Sequence, residues 1–185
     1  MAVEFGLNPP TVKVVLSISH CRSKVKFMAG NPIQSLLLIE DSDEDFEAFG
    51  RMIKKSSMAH PIYRCIDGDE ALDFLYHTGE YAEEASSPRP SIILLDLNLP
   101  GTDGREVLEQ IKQDDALKSI PVVVFTTSSS PKDIDICYQY GANSYIIKPI
   151  DINKFMKTIQ VVMDYWFETV MLTDVTGMIS ETARG

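Results

Sequence analysis

The chain has 185 residues, of which 44% are hydrophobic, and its formal net charge is −10 at pH 7. This length suits one domain with a substantial core, and the apolar fraction excludes disorder of the whole chain. The acidic excess lies after residue 33, which disfavours nucleic-acid binding because the field of such a domain repels phosphates.

The cysteines and the apolar runs indicate the compartment. Cys21, Cys65 and Cys137 are far apart and form no CxxC pair, which is typical of reduced thiols rather than of a disulfide framework or a zinc site. No apolar stretch reaches the roughly 18 residues that a membrane span needs. Residues 12–18 are too short for a signal-peptide core. We therefore expect a soluble, cytoplasmic protein without membrane contact.

The ends of the chain differ in character from its middle. Residues 1–33 are basic in balance and contain two proline-bearing turn segments, which predicts a poorly ordered extension in which Met28 offers an alternative start. Residues 34–172 are predicted to form one domain, and residues 173–185 a flexible tail. Too few residues follow the last predicted helix for a DNA-binding or catalytic output module, so output through protein contact or relay is expected.

From residue 34 onward, short apolar runs alternate with helical patterns five times, which is typical of a parallel α/β fold. Runs of this kind predict buried strands of a doubly wound parallel sheet with helices on both faces. The predicted strands are 36–39, 62–66, 92–95, 122–125 and 145–147.

Each predicted strand is followed by residues at helical spacing. We expect Ser42 or Asp43 to cap the first helix, Gly141 to end the fourth, and Tyr81 to pack back from a surface loop at residues 79–90. The residues that define the helices, in chain order, are Phe46, Phe49 and Ile53; Ala71, Leu72 and Leu75; Val107, Leu108 and Ile111; Ile134, Cys137 and Tyr138; and Ile152, Phe155, Met156, Ile159, Met163 and Trp166.

Polar side chains follow the carboxyl ends of four of the five strands. Glu40 and Asp41 follow the first strand, Asp96 the third, Thr126 the fourth and Lys148 the fifth. Because the carboxyl ends of parallel strands meet at one edge of a sheet, we expect these groups to share one crevice.

The chemistry of this set fits an aspartate that accepts a phosphoryl group. Such an aspartate needs the charge on the transferred oxygens to be neutralised. Glu40 and Asp41 can recruit Mg²⁺, with Asp96 and the backbone carbonyl just beyond it as further oxygen ligands. Lys148 can pair with Asp96 or with the phosphoryl group, and the Thr126 hydroxyl can donate to a phosphoryl oxygen.

In order and spacing, these residues resemble the receiver domain of two-component response regulators over roughly residues 34–166. The resemblance implies a flavodoxin-like sheet with strand order 2-1-3-4-5 and a signalling switch, not an enzyme, in which Asp96 accepts phosphate from a sensor histidine kinase and the protein assists its own autodephosphorylation. The segments that carry it are Glu40-Asp41, Asp96-Leu97-Asn98-Leu99-Pro100-Gly101-Thr102-Asp103-Gly104, Thr126 and Lys148-Pro149.

The resemblance also implies a metal site. Mg²⁺, with Mn²⁺ as an alternative, is expected to be held by Asp41, Asp96 and the backbone carbonyl of Asn98, while Glu40 assists through water. Glu40 departs from the family pattern, because many receivers carry Asp at this position. Its additional methylene is expected to shift the carboxylate outward.

A conformational switch is a further implication of the resemblance. Thr126 and the aromatic Tyr145 are expected to change orientation on phosphorylation, while Lys148 supplies a catalytic countercharge. The family also implies a cis peptide bond between Lys148 and Pro149, and an X-Pro sequence is what such a bond needs.

A narrower resemblance lies outside these shared motifs. The chain is similar to the small single-domain regulators paired with cyanobacterial phytochrome histidine kinases, which implies a phytochrome-type partner. The segments concerned are His77-Thr78-Gly79-Glu80-Tyr81, Pro88-Arg89-Pro90, Asp103-Gly104-Arg105-Glu106-Val107-Leu108 and Tyr165-Trp166-Phe167-Glu168-Thr169-Val170.

Two alternative functions stay open, and two others are rejected. A degenerate receiver would only dock partners, whereas a haloacid-dehalogenase-like phosphatase would need a carboxylate two residues after its nucleophile, where this chain has Asn98. An EF-hand starting at Asp41 is rejected because Phe46 and Met52 replace its Gly and Glu. Nucleotide hydrolysis is rejected because no Gly-rich phosphate loop is present.

The apolar end of the last helix predicts a partner surface. Trp166, Phe167 and residues 170–172 are all apolar, and such a stretch is usually covered by its own domain or by another subunit. Since receivers commonly dimerise through their fourth and fifth helices, we expect a homodimer that uses Ile152, Phe155 and this C-terminal segment.

Overall fold

The computed structural model describes residues 34–55, 60–82 and 87–172. The predicted N-terminal extension at residues 1–33 and the predicted tail at residues 173–185 lie outside the described residues. Within the predicted domain at residues 34–172, residues 56–59 and 83–86 also lie outside the described residues.

The structure contains one five-stranded parallel sheet with the order β2-β1-β3-β4-β5. This order and the doubly wound α/β fold agree with the sequence-based expectation. The boundaries differ from the predicted ones by one residue, at the end of β2, the end of β4 and the start of β5. The strands are β1 (Leu36–Ile39), β2 (Ile62–Cys65), β3 (Ile92–Leu95), β4 (Val122–Thr126) and β5 (Ser144–Ile147).

Helices cover both faces of the sheet. The helices are α1 (Asp43–Lys55), α2 (Gly68–Tyr76), α3 (Gly104–Gln113), α4 (Pro131–Gln139) and α5 (Ile152–Met163), with a 3₁₀ turn at Gly79–Tyr81 and a π-helical turn at Asp164–Thr169. One buried cluster joins α2, α3 and α4 to one face, and a second joins α1 and α5 to the other. Within the described ranges, no helix is long and apolar enough to cross a membrane.

Helix starts follow the sequence signals for capping. Ser42, rather than Asp43, caps α1, because its hydroxyl accepts a hydrogen bond from the Asp45 N–H at 3.2 Å. Aspartates cap α2, α3 and α5 through their side chains. These caps satisfy N–H groups that lack a partner within the helix.

Two apolar residues lie elsewhere than the sequence suggested. Tyr138 is 52% exposed, because Cys137 is the buried residue of α4. Phe155 was expected on a dimer face, but it is 5% exposed, and its ring lies 5.4 Å from the Phe125 ring in the core. Ile152, also expected on a dimer face, is 51% exposed as the first residue of α5.

Tyr81 packs back against the domain as predicted. It is 3% exposed, its ring lies 5.3 Å from the Phe74 ring, and its hydroxyl donates to a Glu70 carboxylate oxygen. These two contacts anchor the 3₁₀ turn to α2.

Candidate functional site

The carboxyl ends of β1, β3 and β5 bring opposite charges into direct contact. The Lys148 ammonium lies 2.6 Å from Glu40 Oε2, 2.6 Å from Asp96 Oδ2 and 2.9 Å from Asp45 Oδ2. Lys148, Glu40 and Asp96 are buried, with exposed fractions of 7%, 2% and 5%. The expected pairing of Lys148 with Asp96 is therefore present, and it is part of a larger cluster.

Asp45 is a member of this cluster that sequence reasoning missed. It lies in the first turn of α1, from which its carboxylate reaches the Lys148 ammonium. The acidic first turn of α1 was the available signal, but this pattern is also typical of an ordinary helix start.

Burial and charge act in opposite directions on the titration of the cluster. Burial would lower the pKa of the Lys148 ammonium, but Glu40 and Asp96 outweigh it and raise the pKa above its usual value. Burial raises the pKa of Glu40 from its ordinary 4.5 to about 7, although Lys148 opposes this shift. Because Lys148 is shared among three carboxylates, it offsets only part of the effect of burial on the pKa of Glu40.

The direction of the Glu40 side chain corrects an expectation. The additional methylene was expected to shift the carboxylate outward, but the carboxylate turns inward to Lys148, and its other oxygen accepts the Ser42 N–H at 3.2 Å. The charge-assisted hydrogen bond with the buried Lys148 ammonium favours this inward position of the carboxylate over an outward position at the edge of the crevice.

The described residues contain one group of acidic side chains suited to a cation. Glu40, Asp41 and Asp96 each place an oxygen within 4.8 Å of the others, and Asp41 is exposed. Carboxylate oxygens that converge in this way are the ligands Mg²⁺ and Mn²⁺ prefer, and the exposed side leaves room for water ligands. The residues present therefore fit a divalent cation.

The loop after Asp96 closes tightly over the end of β3. A Cβ atom on Gly104 would overlap the Asp96 carbonyl oxygen, so the close approach of α3 requires glycine here. The Gly104 N–H donates to the Leu97 carbonyl at 3.1 Å, and the Asn98 N–H donates to Asp96 Oδ1 at 3.1 Å. The turn residues of this segment thus hold one oxygen of the Asp96 carboxylate.

Thr126 and Tyr145 contact the same loop after β4. Thr126 is fully buried, and its hydroxyl oxygen accepts hydrogen bonds from the Ser128 N–H at 3.4 Å and from the Asn98 amide at 3.5 Å. Tyr145 is half-buried, and its hydroxyl donates to the Ser128 carbonyl at 3.0 Å. Both predicted switch residues are therefore connected through Ser128.

Every peptide bond among the described residues is trans. The cis bond expected between Lys148 and Pro149 is therefore absent, and that expectation is wrong. Lys148 reaches the crevice from a trans linkage, with its N–H donating to the Thr126 carbonyl at 2.7 Å.

Sequence reasoning also missed an arginine that ties this loop to two helices. Arg105 donates to both oxygens of Asp133, at 3.1 and 2.7 Å, and to Asp103 at 2.9 Å. Asp133 in turn accepts the Ser128 hydroxyl at 2.6 Å. The starts of α3 and α4 and the loop that carries Ser128 are joined in one network.

Replacing Arg105 with methionine is expected to lower the free energy of unfolding by about 1–2 kcal/mol, because a partly buried, two-pronged ion pair is stronger than an exposed one. Arg51→Met is a matched control, since its pair with Glu47 is exposed and 3.9 Å long, and the loss should stay below about 0.5 kcal/mol. Urea denaturation measures both, and equal losses would contradict the assigned role of Arg105.

Comparisons with known proteins agree with this geometry. The model of the response regulator receiver domain matches residues 36–160. Response regulator Rcp1 of Synechocystis sp. is 44% identical over 142 residues, which cover 77% of this chain and 95% of that protein.

Two solved structures are similar over most of the domain. The Mn²⁺-bound form of Rcp1 has a TM-score of 0.71 and 43% identity, covering 75% of this chain and 98% of that one. The phosphorylated cyanobacterial phytochrome response regulator RcpA has a TM-score of 0.72 and 38% identity, covering 76% and 99%.

Proposed function

The chain belongs to the response regulator receiver family, and on this basis we propose that Asp96 accepts a phosphoryl group from the phosphohistidine of a sensor histidine kinase. The observation that carries this proposal is the buried contact of Asp96 with Lys148 beside the acidic group of Glu40 and Asp41. This crevice combines a nucleophile, a fixed positive charge and oxygen ligands for a cation.

The transfer is a substitution at phosphorus. An oxygen of the Asp96 carboxylate forms a bond to phosphorus while the bond from phosphorus to the kinase's imidazole nitrogen breaks, and the electron pair of that bond stays with the nitrogen. The product is an aspartyl phosphate. Its hydrolysis, assisted by the same crevice, would return the protein to its starting state.

The side chains around Asp96 have separate tasks in this proposal. Asp41, Asp96 and the Asn98 carbonyl would hold Mg²⁺, or Mn²⁺ in its place, with Glu40 contacting it through water; a bound cation supplies positive charge opposite the phosphoryl oxygens. Lys148 adds a fixed ammonium that is already desolvated and in place.

The change that a partner would recognise starts at Thr126. When the Thr126 hydroxyl turns to donate to a phosphoryl oxygen, it gives up its hydrogen bond from the Ser128 N–H. The Ser128 segment then moves, and the carbonyl that accepts from the Tyr145 hydroxyl moves with it. The network through Asp133 and Arg105 extends this change to the start of α4. Phosphorylation therefore alters protein contacts rather than catalysis.

A phytochrome-type histidine kinase is the proposed donor. Its support is the similarity to Rcp1 and to RcpA, a cyanobacterial phytochrome response regulator. A cytoplasmic location suits such a donor, and the two described cysteines, Cys65 and Cys137, are free and buried as in a reducing compartment.

Incubation with Mg²⁺ and a small phosphodonor tests the proposal. We expect an acid-stable, base-labile phosphoryl adduct on the protein. Absence of an adduct would favour a degenerate receiver that only docks partners. Steady turnover of diverse phosphate esters would favour a haloacid-dehalogenase-like phosphatase, although the Asn98 amide contacts Thr126 and Thr127 where that enzyme needs an acid.

We also propose a homodimer through the face formed by α4, β5, α5 and the C-terminal segment. Ile147, Ile150 and Val161 are 46%, 105% and 58% exposed on this face, which borders a cavity of about 400 Å³ between β5 and α5. Part of the C-terminal segment is covered by its own domain, since the Phe167 ring stacks on His60 at 4.2 Å.

A substitution on this face is expected to separate the subunits. Val161→Glu places a charge in an exposed apolar surface and should convert the dimer to a monomer. Gln110→Glu adds the same charge to an exposed position on α3 and should leave the dimer intact. Sedimentation measures both. A wild-type monomer at high concentration, with and without a phosphoryl mimic, would contradict the proposal.

A further inference from the structure

A buried arginine lies directly beneath the acidic loop of the site. Arg64 of β2 is 5% exposed, and it is in register with Leu38 of β1. Its side chain passes the Phe46 ring, with the guanidinium carbon 4.4 Å from the ring centre. The charged group therefore ends under the segment that joins β1 to α1.

The guanidinium binds the backbone of two consecutive acidic residues. Its Nε donates to the Glu40 carbonyl at 2.9 Å, and its Nη2 donates to the Asp41 carbonyl at 3.0 Å. Its Nη1 donates to the Asp43 carboxylate at 2.6 Å. Because the guanidinium is planar and rigid, these bonds fix the two peptide groups relative to each other.

The position of the Asp41 carboxylate depends on this backbone. Asp41 is exposed, so packing does not set its side chain, yet its oxygen lies within 4.8 Å of those of Glu40 and Asp96. A short side chain follows its own Cα atom closely, and the Asp41 carbonyl is held by Arg64. Mutation of groups that orient metal ligands in this way typically lowers metal affinity 10- to 100-fold.

We infer that Arg64 is a positioning residue for the cation site: it holds the Glu40-Asp41 backbone so that the Asp41 carboxylate faces Asp96. This inference rests on the proposed function, since it assumes that the acidic group binds a divalent cation. Arg64 acts through the loop that it binds.

The direction in which metal affinity changes when Arg64 is removed distinguishes its positioning role from the effect of its charge. Arg64 is a cation close to a site for another cation, so its charge alone opposes metal binding. Removing that charge would strengthen binding if electrostatics were its whole contribution. Removing the positioning contacts weakens binding, because the free loop must be ordered when the cation binds.

The test compares Mn²⁺ binding to metal-free wild type, Arg64→Met, Arg64→Lys and Arg51→Met, with the electron paramagnetic resonance signal of free Mn²⁺ as the readout. We expect the dissociation constant to rise about 10-fold in Arg64→Met and by a smaller factor in Arg64→Lys, whose single ammonium cannot hold both carbonyls in one plane. Arg51→Met removes an equal charge from the exposed side of α1 and should bind like wild type.

The outcomes distinguish failure of the positioning role of Arg64 from failure of the proposed cation site. Unchanged or tighter Mn²⁺ binding by folded Arg64→Met would overturn the positioning role. If Arg64→Met does not fold, Arg64→Lys decides by the same criterion, because it keeps the charge and most of the aliphatic stem. Failure of wild type itself to bind Mn²⁺ would overturn the proposed cation site and the inference with it.

Discussion

Replacing Asp96 with asparagine is expected to abolish phosphoryl transfer from an autophosphorylated histidine kinase. An amide lacks the anionic oxygen that attacks phosphorus, and it no longer provides a charged ligand for the cation. Radiolabel transfer between the purified proteins measures the effect. We expect label on the wild type and none above background on the variant.

A matched control separates loss of the acceptor from loss of the fold. Asp135→Asn removes a carboxylate from an exposed position on α4 and should leave labelling unchanged. Circular dichroism of Asp96→Asn should match wild type, because Lys148 keeps Glu40 and Asp45 as partners. Labelling of a folded Asp96→Asn variant at the wild-type rate would contradict the assignment of the acceptor.

Replacing Lys148 with methionine is expected to lower the free energy of unfolding of the metal-free protein by about 3–5 kcal/mol. The variant leaves Glu40 and Asp96 buried beside each other without their shared cation. This is a large share of the roughly 5–15 kcal/mol that stabilises a typical domain. Lys132→Met, on the exposed surface of α4, should change stability by less than about 0.5 kcal/mol.

The stability lost in Lys148→Met should depend on pH. The folded protein protonates Glu40 at about pH 7, whereas the ordinary value is 4.5, so folding favours the neutral acid and this contribution is lost as the pH rises through 7. Since Lys148 lowers the pKa of Glu40, its removal increases the preference of the folded protein for the neutral Glu40 side chain. Because Glu40 is then neutral in both folded proteins below pH 7, the deficit measured by urea denaturation in chelator should be smallest there and should widen as the pH rises above 7. A deficit that does not change above pH 7 would contradict the assigned cause.

Much of the fold could be predicted because the strands of a parallel sheet are buried on both faces. Each strand is then a short continuous apolar run, and the polar residue that ends it marks the edge where the functional groups meet. This rule placed Glu40, Asp96 and Lys148 together although Lys148 and Glu40 are 108 residues apart. The comparisons with known proteins confirmed the receiver family and the likeness to phytochrome regulators that these motifs predicted.

The contacts that organise the site could not be predicted from patterns along the chain. Arg64 and Arg105 occupy ordinary positions on a strand and a helix. Their roles depend on distant partners, such as Asp43, 21 residues from Arg64, and Asp133, 28 residues from Arg105. The inward turn of Glu40 depends on the position of the Lys148 ammonium, which spacing alone does not give. Side-chain direction within a crevice is decided by packing between elements, so it requires the assembled fold.

The position of the phosphoryl group in the phosphorylated protein tests the central proposal most directly. Tandem mass spectrometry of the protein after incubation with Mg²⁺ and a small phosphodonor locates that group along the chain. We predict one phosphoryl group, carried by Asp96. A protein whose mass is unchanged under these conditions, or whose phosphoryl group lies on another residue, would contradict the assignment of this crevice as a phosphoacceptor site.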